Sequence, residues 1–381
     1  MAGYECSDKL NLYRQRVDLL QATGHLQLMD ADYQLLQPFG IKTVREGIRW
    51  SVVEKVPYQY DWSAVEVMLQ RGQKNGIQQI WDICHFGFPD GLDPFSPDFT
   101  DRFVALCRAF VIFYRSQLPH ETLIVTPINE VSYLSWLGGE NCGTAPYCNG
   151  RGWDVKYYLM KAYVAGVAAM RAIDPTIRIL TTEPLVNMVP PLNPTPEEIN
   201  EALIEHELQY QSVDMLCGNI CPELGGKPEF LDILGFNFYY NNQWVIGQQD
   251  FLPWANLEPD PRWRPLSDLL QEAYERYGRP MVITETSHSG IDRPHWINFI
   301  SQEVQLLLTA GLPLWGVCLY PIIDRPDWDN LNYWHHSGLW DQLTTVPGTH
   351  ERILHQPYAA ALKNAVALTD GLLLSDGQIA R

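Results

Sequence analysis

Short apolar runs alternate along this chain with longer stretches in which apolar residues recur every three or four positions. The short runs predict buried β-strands and the longer stretches predict amphipathic helices, which together indicate repeated β-α units around a parallel sheet. Eight such units favour a closed (β/α)8 TIM barrel over an open doubly wound sheet. The predicted strands are Gly3–Cys6, Thr43–Trp50, Gln79–His85, Leu123–Glu130, Arg178–Glu183, Ile233–Tyr240, Met281–Thr286 and Leu314–Tyr320.

Glycine follows several predicted helices just before the next strand, where a left-handed residue commonly ends a helix. These glycines are Gly40, Gly76, Gly278 and Gly311. The length of 381 residues fits one barrel with insertions. We therefore expect a single catalytic domain over residues 1–381.

Two long loops and the C-terminus complete the predicted organisation. Residues 140–152 and 246–265 are rich in Gly, Pro and polar residues and should be loops near an active site at the barrel mouth. A last helix over Gln356–Ala367 should close the barrel. The C-terminal tail, residues 368–381, has no assignable role.

Composition narrows the classes of partner. The 45 acidic residues outnumber the 27 basic ones and give a net charge of −18, which disfavours nucleic acid and anionic membranes as partners. No secretory signal and no run of about 18 apolar residues is visible, so we expect a cytoplasmic protein without a membrane span. The 13 Trp, 19 Tyr and 13 Phe suit stacking on sugar faces as well as core packing.

The eight cysteines are expected to be free thiols in such a protein. Two close pairs, Cys142 with Cys148 and Cys217 with Cys221, leave a disulfide or a metal site open as alternatives. No His or second Cys pair lies nearby at the spacing of a zinc site.

Carboxylates stand where several predicted strands end. The fourth strand ends in Asn129 and Glu130, and the seventh ends in Thr284 and Glu285. In a barrel these strand ends open at one mouth, where active sites lie. Cleavage of a glycosidic bond needs one carboxylic acid to protonate the leaving oxygen and a second carboxylate to attack or stabilise the anomeric carbon. We therefore predict Glu130 and Glu285 as the catalytic pair, with structural carboxylates as the alternative.

Other polar residues near strand ends are candidates for binding substrate. Asn129 is placed to bond a sugar 2-hydroxyl, and His85 ends the third strand unless it is a core histidine. Glu183 either binds substrate or only terminates its strand before a proline. Arg45 is a plausible cation beside the nucleophile or a partner in a structural salt bridge, and Arg49 faces the same side by alternation.

Seven segments resemble, in chain order, motifs of the family 1 glycoside hydrolases, within the clan of barrel glycosidases that carry catalytic Glu on strands four and seven. Thus TPINE resembles Thr-Phe-Asn-Glu-Pro, the acid/base strand, and ITETS resembles Ile-Thr-Glu-Asn-Gly, the nucleophile strand. The resemblance therefore implies Glu130 as general acid/base and Glu285 as nucleophile. The segments are DADYQLLQPFGIKTVREGIRW, DICHFGFP, TPINE, LGFNFYY, ITETS, WGVCLYPIIDRPDW and HHSGLWD. The resemblance implies a retaining β-glycosidase on a barrel, acting on a β-glucoside or β-galactoside from the chain end, without metal or cofactor.

The resemblance also assigns residues. It places Arg45 at the family arginine, His85 at the family histidine, and Tyr239 at the tyrosine that touches the nucleophile, with core packing as the alternative for Tyr239. Trp328 falls at the final tryptophan of the sixth segment, WGVCLYPIIDRPDW, and either lines a sugar platform or packs in the core.

Departures from the pattern indicate a rebuilt sugar pocket. Val131 replaces the proline after Asn-Glu, and Tyr320 replaces the tryptophan of the last strand. Asp327 is one methylene shorter than the family glutamate that grips distal hydroxyls. The first-strand glutamine motif is not recognisable, and Glu5 is the nearest polar residue to it. The sugar and the aglycone therefore stay open.

Three other functions are alternatives to a retaining β-glycosidase. Transglycosylation would use the same two carboxylates. A non-catalytic carbohydrate-binding barrel should have lost one of them, and both are present. A metalloenzyme using His85, Glu183 and Glu285 is disfavoured because no paired ligand spacing occurs. The expected partner is a small carbohydrate or glycoside, and the oligomeric state is unassigned.

Overall fold

A computed structural model describes residues 1–248, 251–255, 260–343 and 350–375. Its strands are β1 (Ala2–Gly3), β2 (Thr43–Gly47), β3 (Gln78–Cys84), β4 (Ile124–Ile128), β5 (Arg178–Ile179), β6 (Glu183–Pro184), β7 (Asn187–Val189), β8 (Leu234–Asn237), β9 (Gln243–Val245), β10 (Met281–Thr286), β11 (Leu314–Leu319), β12 (Trp340–Leu343) and β13 (Glu351–Leu354). Its α-helices are α1 (Leu19–Ala22), α2 (His25–Leu36), α3 (Trp50–Val53), α4 (Ser63–Asn75), α5 (Pro97–Gln117), α6 (Val131–Gly139), α7 (Gly152–Ile173), α8 (Pro196–Glu207), α9 (Gln211–Cys217), α10 (Leu266–Tyr277), α11 (Arg293–Thr309) and α12 (Gln356–Ser375).

The chain forms two compact units, each assembled from separate stretches of sequence. The first unit contains residues 1–183, 211–233 and 325–334. Its strands β1 to β5 pair side by side in sequence order, all parallel, with Gly3 opposite Arg45 and Gly47 opposite Asp82. Parallel neighbours of this kind require crossover connections, which the intervening helices supply.

The second unit contains residues 184–210, 234–324 and the chain from 335 onward. Strand β10 lies between β8 and β11, again in parallel, and Glu285 stands opposite Asn237. Two smaller sheets accompany this group, a parallel pair of β7 with β9 and an antiparallel pair of β12 with β13.

Each of the eight predicted strands overlaps a strand of the structure, although most are shorter than predicted. The second ends at Gly47 because Arg49, with φ of 59°, turns the chain into α3. Alternation along β2 therefore does not reach Arg49, whose guanidinium instead donates to Asp18 at 2.5 Å. The predicted fifth strand divides into β5 and β6.

Helix ends and loops follow the prediction closely. Gly76 and Gly278 end α4 and α10 in the left-handed conformation. The loop predicted over 140–152 joins α6 to α7, while that over 246–265 lies partly outside the described residues. The last helix runs on to Ser375, past the expected end at Ala367, and residues 376–381 of the tail lie outside the described part. Among the described helices, none has the length and apolar character that crossing a membrane requires.

Helices α5 and α7 pack closely against each other in the first unit because a glycine lies at their contact. A Cβ at Gly166 would meet the Phe103 ring at 2.9 Å. Phe99, Phe103 and Phe110 of α5 are fully buried, and each contributes roughly 2–3 kcal/mol through burial. The core of this unit therefore lies between β-strands and the apolar side of α5.

A buried charged cluster joins α2 to the helix-facing side of β2. His25 Nδ1 lies 2.8 Å from Asp32, its Nε2 lies 3.1 Å from Glu46, and its ring stacks on Tyr4. The Tyr33 hydroxyl also donates to Glu46 at 2.7 Å. Burial alone would lower the pKa of His25, but the carboxylates of Glu46 and Asp32 raise it to about 9.

This raised pKa predicts that folding stability declines as pH rises from about 6.5 to about 9. The folded state holds the His25 proton in that interval and the unfolded state releases it, so stabilisation is complete below the lower value. The decline should be on the order of 3 kcal/mol. Urea unfolding of wild type and His25→Gln at both pH values tests it. An equal decline in the variant would remove His25 as the cause.

Candidate active site

Glu130 stands two residues beyond the end of β4, where the chain turns sharply into α6. Its φ of 45° is left-handed, which is uncommon for a residue with a side chain and is typical of functional sites. Two backbone bonds hold the turn, since the Asn129 N–H donates to the Cys84 carbonyl at 2.9 Å and the Glu130 N–H donates to the Thr182 carbonyl at 3.0 Å. The side chain of Glu130 is therefore presented from a fixed position at a strand end.

Glu183 holds the same turn through two hydrogen bonds to its carboxylate. Its Oε1 accepts the Val131 N–H at 2.7 Å, and its Oε2 accepts the Ser132 N–H at 3.0 Å. A carboxylate at this position satisfies the first amides of α6 and interacts favourably with the positive end of the helix. Burial raises the pKa of Glu183, while Ser132 and Lys156 oppose the increase. Substrate binding by Glu183 stays a prediction. Its two hydrogen bonds to the amides that follow Glu130 hold the turn on which Glu130 stands.

A buried hydrogen-bonded network occupies the ends of β2, β3 and β4. The Arg45 Nη2 donates to Asp82 at 2.7 Å and to the Asn129 Oδ1 at 3.1 Å. His85 Nδ1 lies 2.9 Å from the same Asp82 oxygen, and His85 Nε2 lies 3.4 Å from the Asn129 amide. Burial alone would raise the pKa of Asp82, but Arg45 and His85 hold it below its usual value. Three predicted site residues, Arg45, His85 and Asn129, are thus linked in one network that also contains Asp82, which the sequence did not indicate.

Glu5 extends this network from the loop after β1. Its carboxylate accepts hydrogen bonds from the Ser7 amide and hydroxyl, lies 3.7 Å from His85 Nε2, and lies 3.3 Å from the Arg325 Nε. Burial alone would raise the pKa of Glu5, but Arg325 and His85 lower it. Glu5 therefore stands ionised among the predicted sugar-binding residues.

Trp328 lies beside these residues within the first unit. Its ring is 5.6 Å from Phe86 and 6.4 Å from Tyr133, measured between ring centroids. Asp327, predicted to grip sugar hydroxyls, accepts the backbone N–H groups of Asp329 and Asn330 through Oδ1 and so shapes its own loop. Its role in substrate binding stays a prediction.

In the second unit, Glu285 lies at the centre of a group of hydrogen-bonded residues. It lies on β10 with a side chain that is 4% exposed, and its Oε2 accepts the Tyr239 hydroxyl at 2.8 Å. The backbone fixes it as well, because the Phe238 N–H donates to the Glu285 carbonyl at 2.9 Å. The neighbouring Thr284 hydroxyl donates to Asn237 at 2.6 Å. Tyr239 is thus a hydrogen-bond donor to Glu285, and packing alone does not describe it.

Tyr320 follows β11 in the same unit. Its side chain is buried, and its backbone N–H donates to the Thr286 carbonyl at 3.1 Å. That bond ties the end of the last barrel strand to the residue after Glu285. Contact of Tyr320 with substrate stays a prediction.

Some site residues escaped the sequence analysis. Asp82 was not predicted as a site residue, although a charged residue inside an apolar strand is informative in itself. Lys9 and Arg325 gave no signal, because each lies in a loop of mixed polarity. Their position is set by contacts between stretches more than 300 residues apart, such as the bond from the Asn11 amide to the Trp328 carbonyl.

The chemistry of the first-unit network is that of a carboxylate paired with arginine. Cys6, Asp82 and His85 present ligand atoms within 4.8 Å of one another, as a metal site would require. The Arg45 guanidinium, however, already neutralises Asp82. All eight cysteines lie in the described residues and none forms a disulfide, including the two pairs left open by the sequence.

A surface cleft of about 560 Å³ lies away from this chemistry. Arg115, His120 and Asp174 line it, next to the amino ends of β4 and β5. Residues at that face of a barrel usually serve stability, because active sites form at the carboxyl ends of strands.

No protein-family model matches the sequence, and no curated protein does either. Solved structures do match, among them a family 1 β-glucosidase from Thermotoga maritima, with a TM-score of 0.70 and 16% identity over 90% of this chain and 86% of that one. The AHE enzyme from Alicyclobacillus herbarius gives a TM-score of 0.72 and 16% identity over 90% and 87%. The virulence factor SghA, bound to its substrate analog salicin, gives 0.71 and 16% over 90% and 85%.

These structural matches show that the fold is shared. At 16% identity they do not decide the activity. The chain has the α/β fold of these matched structures, a (β/α)8 barrel, and the predicted fold class is confirmed. The resemblance to family 1 glycoside hydrolases is confirmed at this level.

Proposed function

We propose that this protein is a retaining β-glycosidase in which Glu130 is the general acid/base and Glu285 is the nucleophile. The observation that carries the proposal is that each glutamate stands at or just past the carboxyl end of a parallel strand, in the fold of β-glucosidases. Each also has contacts that fix its position: backbone bonds and Glu183 around Glu130, and the Tyr239 hydroxyl on Glu285.

The reaction proceeds by two displacements. The Glu285 carboxylate attacks the anomeric carbon while Glu130 protonates the departing glycosidic oxygen, which leaves as an alcohol. Glu130, now ionised, removes a proton from water, and the water oxygen displaces Glu285 from the anomeric carbon. The product keeps the β configuration because the carbon is inverted twice.

The residues around the two carboxylates support distinct tasks. Tyr239 donates to Glu285 and keeps the carboxylate oriented between the two steps. Asn129 and His85 are held by Arg45 and Asp82 and offer donors to sugar hydroxyls. Such hydrogen bonds speed the reaction when they strengthen in the transition state.

The substrate is a β-glycoside cleaved from its end, with β-glucosides and β-galactosides first among the candidates. The β-glucosidase neighbours and the salicin complex of SghA support this choice. Transglycosylation is the second candidate, because another hydroxyl can replace water at the same carboxylates. A sugar-binding protein without catalysis is disfavoured by the presence of both glutamates.

The proposal is tested with aryl β-glycosides of glucose, galactose, mannose, fucose and xylose. We expect turnover of at least one, with the β hemiacetal formed first in proton NMR spectra. An α product formed first would contradict the retaining mechanism, and no turnover of any substrate would contradict the glycosidase assignment. Adding a sugar alcohol acceptor and measuring the transfer product separates transglycosylation from hydrolysis.

Glu183→Ala should reduce kcat/KM about 10- to 100-fold for substrates with poor leaving groups, because the first two amides of α6 lose their acceptors and Glu130 loses its fixed turn. Dinitrophenyl glycosides should be affected little, since such a good leaving group needs no proton. The kcat/KM ratio between phenyl and dinitrophenyl substrates is the measurement.

The conservative change Glu183→Gln, which keeps one acceptor oxygen, should recover part of the loss. A merely structural role would lower kcat/KM equally for both leaving groups and would reduce Tm in parallel. That pattern would remove Glu183 as a positioning residue for Glu130.

A further inference from the structure

A small internal cavity lies directly behind Glu183, within the first unit. Its volume is about 10 Å³, and the residues that line it are buried. Helix α7 contributes Tyr163, α9 contributes Ser212, and the chain around β6 contributes Thr182 beside Glu183. A space of this size is about what a single water molecule requires.

Two hydroxyl groups at this cavity have no protein partner. The Tyr163 hydroxyl and the Thr182 hydroxyl are both buried, and neither has a hydrogen-bond partner among the described residues. Burial raises the pKa of Tyr163 well above its usual value, and the nearby carboxylate of Glu183 raises it further. Buried polar groups in folded proteins normally bond to protein or to an ordered water. The two hydroxyls therefore call for a polar group inside the cavity.

Two serines supply an acceptor at the same cavity. Both Glu183 oxygens accept backbone N–H groups, so the Ser132 hydroxyl, which also bonds to Glu183, is the donor in that bond. The Ser132 oxygen lies 3.1 Å from the Ser212 oxygen and accepts the Ser212 hydrogen, because its own hydrogen is engaged. The Ser212 oxygen, at the cavity wall, then keeps its capacity to accept a hydrogen bond.

A water molecule matches this set of groups. It accepts from the Tyr163 and Thr182 hydroxyls and donates to the Ser212 oxygen, which gives the roughly three hydrogen bonds that a buried water usually makes. A larger ligand does not fit in about 10 Å³. With the water in place, hydrogen bonds run without a break from Tyr163 through Ser212 and Ser132 to Glu183.

We infer that this cavity binds one water molecule, and that Tyr163 is a positioning residue that acts on Glu183 through the water and the two serines. Glu183 in turn holds the two amides that follow Glu130, so the chain of hydrogen bonds ends at the turn of the proposed acid/base. The inference deepens the proposed function and rests on it for the role of Glu130.

Tyr163→Phe should lower kcat/KM about 3- to 10-fold for a phenyl β-glycoside and less than about twofold for the dinitrophenyl β-glycoside. The variant removes one hydroxyl and keeps the ring, so Glu183 loses support while the core packing persists. Only the phenyl substrate needs the proton from Glu130. In the Glu183→Ala background, the same change should have a further effect below about 1.5-fold, because the chain of hydrogen bonds is already cut.

Tyr60→Phe is the matched control. The Tyr60 hydroxyl is also buried and without a partner among the described residues, but it lies in the loop between α3 and α4, away from this cavity. Its loss should change kcat/KM for neither substrate. If Tyr163→Phe fails to fold, Ser212→Ala cuts the chain at another point and should give the same ratio between the two substrates. An equal loss for both leaving groups, or an undiminished loss in the Glu183→Ala background, would overturn the role of Tyr163.

A high-resolution crystal structure of the wild-type chain tests the water itself, independently of catalysis. We expect electron density for one water within about 3.2 Å of the Tyr163 and Thr182 hydroxyls, and an empty cavity would contradict the inference. If the water is present, and Tyr163→Phe and Glu183→Ala are coupled in the free energy of unfolding, but no glycoside is hydrolysed, the proposed function fails and the water site stands. If glycosides are hydrolysed through Glu130 and the cavity is empty, the reverse holds.

Discussion

Glu285→Gln should lower kcat/KM for the best aryl β-glycoside by on the order of 10⁴-fold or more, because an amide cannot attack the anomeric carbon. The amide has the shape of the carboxylate and keeps an oxygen that accepts the Tyr239 hydroxyl, so the fold should persist. Steady-state kinetics on purified variant and wild type, with Tm measured for both, give the result.

Glu303→Gln is the matched control in the same unit. Glu303 is also a buried glutamate, but it lies on α11 and accepts the Ser267 N–H at 2.7 Å, away from any strand end. Its kcat/KM should stay within about threefold of wild type, since neutralising a structural carboxylate changes stability more than chemistry.

The identity of the nucleophile is then fixed by chemical rescue. In Glu285→Gly, azide can occupy the vacated space and attack the anomeric carbon of a dinitrophenyl β-glycoside from the same side. One displacement gives the α-glycosyl azide and free dinitrophenol. Recovery of the β-azide, or full activity in Glu285→Gln, would refute the nucleophile assignment.

Glu130→Ala should act mainly on substrates that need a proton. We expect kcat/KM for a phenyl β-glycoside to fall about 10²- to 10⁴-fold, and that for the dinitrophenyl β-glycoside to fall far less. The glycosyl-enzyme then accumulates, because no base activates water for the second step. A burst of dinitrophenol followed by slow turnover is the measurement.

Azide distinguishes this role from that of Glu285. In Glu130→Ala, azide attacks the glycosyl-enzyme without a base and yields the β-glycosyl azide, the opposite stereochemistry. Glu140→Gln is the control, because Glu140 ends the same helix and accepts the Gly152 N–H at 2.6 Å. Loss of kcat/KM by the same factor for both leaving groups in Glu130→Ala would argue against acid catalysis.

The position of both catalytic candidates was predictable because it depends on local pattern. An apolar run that closes with a glutamate gives a strand end and a side chain at the mouth, and β10 matches its prediction residue for residue. The strand lengths were less predictable. Arg49 belongs to an alternating run by sequence, yet a left-handed turn ends β2 two residues before it.

The role of Glu183 was decided by packing. The sequence left two interpretations of Glu183 open, substrate contact or a simple strand end, and neither involves a contact with α6. Only the folded chain places its two carboxylate oxygens against the amides that follow Glu130, across 51 and 52 residues of sequence. Hydrogen bonds of this range follow from which strands are neighbours, and no local periodicity encodes them.

By itself, the sequence determined the order of β-α units, the helix-ending glycines, and the two glutamates at the carboxyl ends of strands, because each is a property of neighbouring residues. The tertiary structure alone decided that Arg45 and His85 share Asp82, and that Lys9 and Arg325 lie over one indole ring. The physical reason is that these contacts join distant loops, whose closeness is set when the strands pair and the core packs.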